Sequence, residues 1–325
     1  MSEPIPIILD CDPGIDDFIA ILMILAAPER FNLLGITVSG GNVPVEYTAQ
    51  NALKACELAG RRDIKVYAGC PGPMLRPLIV EDGVHGEDGL KGANLPPPKM
   101  LLQQTHGVDF LIDAILKSSQ KVTLATTGPL TNVAVAIIRE PRILDNIEEI
   151  VTMGGSITLG NITPAAEYNF YADPDAAAIL FTCGKKITLV NIDVTHQAVT
   201  SLAWLSHLET LDTPVTRVVA SMLHGLHAYD STHFETTGAA IHDPCVIGYL
   251  LNPSLFEGKD VHVEIDTSFG MGRGRSIIDW WHKRGIPAET HVFNEINSQG
   301  FYDLLTELLS RYEKSGQPPK QRGYA

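Results

Sequence analysis

Basic residues are scarce in this chain. Lysine and arginine number 24 against 38 aspartates and glutamates, which leaves a formal net charge of −14. Nucleic-acid phosphates require a basic stripe, so nucleic acid is not an expected partner. A cation or a neutral small molecule suits the balance better. Cysteine is also sparse: five residues, at positions 11, 56, 70, 183 and 245, and no C-x-x-C pair among them. That spacing suggests neither a zinc knuckle nor a disulfide framework, and a reducing cytoplasm is the expected compartment. The opening MSEPIPIILD lacks the basic stretch that precedes the apolar core of a secretory leader. No apolar run reaches the length needed to cross a bilayer, so no membrane partner is expected. Internal repeats are absent, and no shift in composition marks a linker.

What is present is the make-up of a globular enzyme with a large core: 45% hydrophobic and 19% charged residues over 325 positions. Short β-branched runs alternate with helical patterns. IPIIL, LLGITV, IKVYA, KVTLATT, EEIVTMG and KITLVNI read as strands, separated by helices or by loops. This alternation predicts an α/β fold with an open, mostly parallel sheet flanked by helices, in a single domain over 1–325 with a fraying tail from about 314. Two long irregular stretches, residues 69–104 and 154–173, follow strands and should overhang the carboxyl edge, where ligands bind in such sheets. Further on, LHGLHAYDS and HDPCVIGYLL read as helical. Strands are expected around 261–265 and 276–278, then a final helix from about Ser298 to Tyr312.

The densest chemistry stands at the end of the first strand. Asp10, Asp12, Asp16 and Asp17 fall within DCDPGIDD, where Pro13 and Gly14 force a tight turn before the apolar run FIAILMILAA. Like charges this close raise one another's pKa unless something positive lies among them. A hard divalent cation with oxygen ligands makes such a cluster favourable. Helix capping by Asp16 or Asp17 accounts for one or two of these acids, and leaves Asp12 unexplained.

Other candidates are weaker when taken singly. Asp173 and Asp243 each precede a proline at a helix start, which is the grammar of an N-cap. Asn161, Glu167 and Asn169 share one irregular stretch and suit a polyhydroxylated ligand, although Asn is common in turns as well. TTGPLTN follows a strand and opens a helix without the lysine and glycine spacing of a phosphate loop. His224 and His227 lie three apart, but no HExxH or third ligand supports zinc.

Taken together, DCDPGIDD, SGGN, TTGPLTN, VTMGG, GNITPAAEYN and IHDPC resemble, in order, the motifs of the inosine–uridine preferring nucleoside hydrolases. The resemblance runs from Asp10 through at least Asp243. It implies one Ca²⁺ held by Asp12, Asp17, the Thr127 carbonyl and Asp243, with ribose hydroxyls and a water completing the shell. Asp12 corresponds to the general base for that water, and inversion at the anomeric carbon is implied. Asp16, Asn42, Asn161, Glu167 and Asn169 correspond to ribose partners, and Met153 packs beneath the sugar. His242 matches the residue that assists the leaving base. His here, rather than Trp, favours the broader or pyrimidine-tolerant branch. His85 and a residue from the stretch His224 to His233, with Tyr229 the best candidate, are the expected base contacts from mobile loops, and Asp10 is expected to support its neighbours. The resemblance also implies a homotetramer or dimer. Two rivals stand beside it: a haloacid-dehalogenase-type phosphatase, whose first strand also ends in DxD, and a catalytically silent nucleoside- or ribose-binding protein.

Overall fold

The computed structural model describes residues 3–233 and 238–314, so most of the expected fraying tail lies outside the described residues. Strand β1 (Ile5–Cys11) has its residues buried on both sides. Ile7, Leu9 and Cys11 join one hydrophobic cluster, and Ile8 joins the other. That is why it reads as a continuous apolar run rather than as an alternation. The same double burial carries β2 (Phe31–Val38), β3 (Val66–Ala68), β4 (Val122–Thr126), β5 (Ile147–Met153) and β6 (Ile187–Val190).

The remaining strands are β7 (Phe256–Val261), β8 (Val263–Ile265), β9 (Ser276–Ile278) and β10 (Thr290–Ile296). Eight form the main sheet in the order β3-β2-β1-β4-β5-β6-β10-β7, all parallel except the edge pair β10–β7. β8 and β9 pair separately as an antiparallel ribbon. The α/β expectation therefore holds, with two corrections. The expected strand at 261–265 is split between β7 and β8, which belong to different sheets. β10 was not expected at all: its register shifts between Phe293 and Glu295, and that irregularity breaks the alternation that would reveal it.

Chain order reverses between β1 and β4, so a crevice opens beyond their carboxyl ends. One face of the sheet is covered by the helices Ile15–Leu25, Val45–Leu58, Pro244–Leu251 and Ser298–Ser310, and the other by Gly107–Lys117, Thr131–Arg139 and Pro174–Phe181. Helix Pro244–Leu251 packs against Ile15–Leu25, which brings Asp243 to the start of the latter. The two long irregular stretches carry only the short helices Asp82–His85 and Tyr168–Ala172. No helix among the described residues is long and apolar enough to cross a membrane.

Candidate active site

Beyond β1 the chain turns at Pro13 and enters helix Ile15–Leu25. Asp17 accepts from the Gly14 amide at 3.1 Å, so it does cap this helix. It has other work too: its oxygens also accept from the Asp12 amide (3.3 Å), the Thr127 hydroxyl (2.7 Å) and the Asn42 side-chain amide (3.2 Å). Asp12 is fully buried. One of its oxygens accepts from the Asn42 backbone amide at 2.7 Å, while Oδ1 has no hydrogen-bond partner among the described residues. Gly41 and Gly128 flank it so closely that a Cβ would stand 2.0 and 2.4 Å from its oxygens. Only glycine fits on either side of this carboxylate.

Asp243 occupies the N-cap position of Pro244–Leu251, yet its side chain makes no capping bond. The N-cap grammar is therefore misleading at this residue. At Asp173 it is accurate: that carboxylate accepts from the Ala176 amide at 3.1 Å. Asp243 instead turns to the acid cluster, where carboxylate oxygens of Asp16, Asp17 and Asp243 all lie within 4.8 Å of one another. Burial pushes Asp12 and Asp243 well above the usual carboxylate range, with the neighbouring acids adding to the shift. Asp17 is raised by burial and then by Asp16. An orphaned buried oxygen and three crowded acids with no cationic side chain among them fit a hard divalent cation. The grouping differs in emphasis from the expected ligand set. Asp16, expected on the sugar, lies within 4.8 Å of both Asp17 and Asp243. Asp12 stands outside that trio.

Asp10 does not line the pocket. Asp12 and Asp17 lie behind the pocket surface as well, but Asp10 is engaged with the sheet, in register with Thr37 on β2 and Thr126 on β4. It accepts from the Thr37 hydroxyl and from Asn132 Nδ2 (2.8 Å), and burial pushes it up to about 7. Asn132, at the end of TTGPLTN, also accepts from the Cys70 amide at 2.7 Å. It thereby ties three strand ends together, a role its position in a turn motif did not disclose.

The crevice holds about 780 Å³ of empty space, its open mouth included, within the range of small-molecule sites. Asp16, Asn42, Thr127 and Asp243 line its acid end. Met153, at the end of β5, and Asn161, Glu167 and Asn169 line one side. Glu167 caps helix Tyr168–Ala172, accepting from the Asn169 (2.8 Å), Gly155 (2.7 Å) and Phe170 (3.2 Å) amides; burial raises it to about 7. Asn169 Nδ2 donates to the Thr127 carbonyl at 2.8 Å and to the Met153 carbonyl at 3.3 Å. Asn161 Oδ1 accepts from the Tyr168 amide at 2.9 Å.

His242 meets the Thr195 hydroxyl through Nδ1 at 2.6 Å, and burial, then His196 and His85, push it down to about 3. Its imidazole is neutral at physiological pH. His85 is also in the wall. It is buried, and its Nδ1 accepts from the Ile15 amide at 3.1 Å, which leaves the ring proton on Nε2. It is thus docked on a helix start within the short helix Asp82–His85. Tyr229 lines the pocket from helix Pro214–His233. Leu226 and Asp230, within the stretch 224–233 expected to reach the base, also line the pocket, as do Glu81, Val84 and Ala240, which were not foreseen. The only signal was adjacency to His85, Tyr229 and His242.

A doubly flanked parallel sheet with an acid cluster and a polar pocket at its chain-order reversal has the layout of an α/β enzyme. Two solved structures match it closely. A purine-preferring ribonucleoside hydrolase from Gardnerella vaginalis superposes with a TM-score of 0.87 at 31% identity, covering 94% of this chain and 98% of that one. A plant nucleoside hydrolase gives the same TM-score and identity over 94% and 99%. The chain belongs to the inosine-uridine preferring nucleoside hydrolase family, which it matches over residues 7–303. It is a hydrolase acting on N-glycosyl compounds. Among curated relatives, a pyrimidine-specific ribonucleoside hydrolase of Shewanella oneidensis is 42% identical over 308 residues, 94% of this chain and 96% of that protein. One from Salmonella gallinarum is 39% identical over 309 residues, 95% and 99% of the two chains.

Proposed function

We propose that this protein is a Ca²⁺-dependent ribonucleoside hydrolase of broad or pyrimidine-tolerant preference, releasing free base and ribose with inversion at the anomeric carbon. The observation that carries this reading is the set of buried carboxylates at the chain-order reversal: three within 4.8 Å of one another, beside an Asp12 oxygen with no partner. Asp12, Asp17, Asp243 and the Thr127 carbonyl would hold the ion, with Asp16 near enough to join them. When bound there, calcium would supply Lewis acidity that lowers the pKa of a water.

The residues of the chain do the rest. Asp12 takes the proton of the attacking water through its unpartnered oxygen. Asp16, Asn42, Asn161, Glu167 and Asn169 hold the sugar hydroxyls, and Met153 supports the ring from below. The anionic cluster stabilises the positive charge that develops on the ribosyl group as the N-glycosidic bond breaks. His242, neutral in its buried setting, assists the departing base by donating a hydrogen bond from its ring N–H. Attack from the face opposite the base gives inversion. Pyrimidine tolerance is supported by His at position 242 and by the names of the bacterial relatives. The purine-preferring structural neighbour, at 31% identity, is the counterweight.

The test is a reducing-sugar assay on uridine, cytidine, inosine and adenosine, before and after exhaustive dialysis against a chelator. Ribose release that disappears on dialysis and returns with Ca²⁺ is the expected outcome. Unchanged turnover in the chelated protein would overturn the metal assignment. Phosphate release from sugar phosphates, with no ribose from any nucleoside, would overturn the hydrolytic one.

A further inference from the structure

Thr195 takes no part in the mechanism above, yet this fully buried residue meets the ring of His242 through its hydroxyl, 2.6 Å from Nδ1. We propose that Thr195 is a positioning residue: its hydroxyl donates to Nδ1 and so fixes the His242 tautomer whose N–H, on Nε2, faces the leaving base. The proposal rests on the hydrolytic reading above and deepens it by naming what sets the direction of that hydrogen bond.

Backbone bonds on both sides build this placement. Thr195 closes the short helix Ile192–Thr195, which follows directly on β6. Asn191 caps that turn, accepting from the Asp193 and Val194 amides at 3.0 and 3.3 Å, and its Nδ2 donates to the Phe293 carbonyl of β10 at 2.6 Å. Beyond the turn, the chain pairs with the segment that leads into His242. The Thr200 amide donates to the Ala239 carbonyl at 2.8 Å and the Ile241 amide to the Ala198 carbonyl at 3.2 Å, around a bridge between Val199 and Ala240. The two side chains are therefore brought into register by their backbones. His196 adds a tilted ring contact to His242, with centroids 5.6 Å apart.

Proton accounting then decides the tautomer. A hydroxyl has one proton to give, and an imidazole nitrogen either carries a proton or accepts one. Two acceptors stand near the Thr195 hydroxyl: Nδ1 at 2.6 Å and the Ile192 carbonyl at 3.3 Å. The carbonyl lies beyond the usual O–H···O range of about 2.5–3.0 Å, and the ring contact is short for an N–H donating to oxygen, which centres on about 2.9–3.0 Å. The proton therefore goes to Nδ1, which is bare, and the ring N–H stands on Nε2. His242 lines the pocket, so that N–H is the group a ligand meets. A base leaving with the electrons of the N-glycosidic bond gathers negative charge on its acceptor atoms. An N–H aimed there lowers the barrier; the opposite tautomer would set a lone pair against that charge and raise it.

The experiment compares Thr195→Val, which removes the hydroxyl at nearly constant volume, with Thr195→Ser, which keeps it, both in Ca²⁺-containing buffer. Two substrates are used: the nucleoside hydrolysed fastest, whose base leaves poorly, and p-nitrophenyl β-D-riboside, whose phenolate leaves without help. Thr195→Val should lower kcat on the nucleoside at least about tenfold, the factor of one net hydrogen bond, with KM little changed. On the nitrophenyl riboside it should lose about threefold or less, since that leaving group needs no donor. Thr195→Ser should stay within about threefold of wild type on the nucleoside. Equal losses on both substrates, or a serine variant as slow as the valine one, would leave Thr195 a merely structural residue and overturn the proposal. Two-bond ¹H–¹⁵N correlation spectra of the ring, assigned by the signals missing in His242→Gln, read the tautomer directly. A bare Nδ1 in the wild type upholds the assignment and a protonated one overturns it, whether or not Thr195→Val folds. Should neither substrate be hydrolysed, the hydrolytic reading fails, and the same spectra decide the tautomer on their own.

Discussion

Asp173 and Asp243 open their helices with the same two letters, Asp–Pro, and the structure gives them opposite physics. The same substitution at both, Asp→Ala, should therefore give opposite results in metal-free protein. Asp173 is fully buried and accepts three hydrogen bonds: from Ala176 N at 3.1 Å, Met74 N at 2.9 Å and the Thr131 hydroxyl at 2.6 Å. Removing it strands those donors in the interior, and with allowance for relaxation the cost is about 3–5 kcal/mol. In a chain of this length that lowers Tm by about 4–7 °C. Asp243 makes no capping bond, so the usual penalty of about 1 kcal/mol for losing an N-cap does not apply. Its loss also thins a cluster whose oxygens lie within 4.8 Å of one another. At an effective dielectric of about 20, each charge pair at such distances repels by about 3 kcal/mol, much of it already absorbed by bound protons. In chelator, Asp243→Ala should melt at or up to about 3 °C above wild type. On adding Ca²⁺ to a hundred times its Kd, wild type should gain about 2.7 kcal/mol, or about 4 °C, and the variant nothing. Thermal unfolding followed by circular dichroism reads all four numbers. If Asp243→Ala falls as far as Asp173→Ala in chelator, Asp243 is a structural cap and the reasoning about the cluster is wrong.

Asp12→Asn should cut ribose release at least about a thousandfold, since it removes the base and a ligand together, whereas Asp10→Asn, whose carboxylate is bonded to Thr37 and Asn132, should cost about tenfold or less; equal losses would refute the division of labour. Stability of the metal-free protein should fall as pH rises from about 4.5 to 7. Glu167 holds its proton to about 7 in the fold and releases it near 4.5 when unfolded, so over that window the native state binds more protons than the unfolded one. Urea unfolding at pH 5 and pH 8 checks the sign, and Glu167→Gln should flatten the slope.

The six parallel strands from β1 to β6 were legible because burial on both faces leaves an unbroken apolar run. β10 was hidden by its irregular register, although it sits within the main sheet. The acids of DCDPGIDD could be read as a cluster because they are contiguous. Asp243 could not be separated from an ordinary N-cap by local sequence, since Asp–Pro is equally good grammar for both; only the family motif pointed to it. Glu81 was illegible for another reason. A pocket wall made by pressing a loop against a distant helix has no spacing rule along the chain.

The placement of Asp243 also bears on how the protein is made. Asp12, Asp16 and Asp17 emerge with the first residues of the chain, and the carboxylate that completes their cluster follows more than two hundred positions later. Helix Pro244–Leu251, which delivers it, packs against helix Ile15–Leu25. Contacts this remote in sequence form late, because the loop they close is long. Affinity for a cation held in this way would be a property of the finished chain. A nascent or truncated product would carry the first acids without the last, and a divalent cation would then favour completed molecules rather than act as a nucleus for folding.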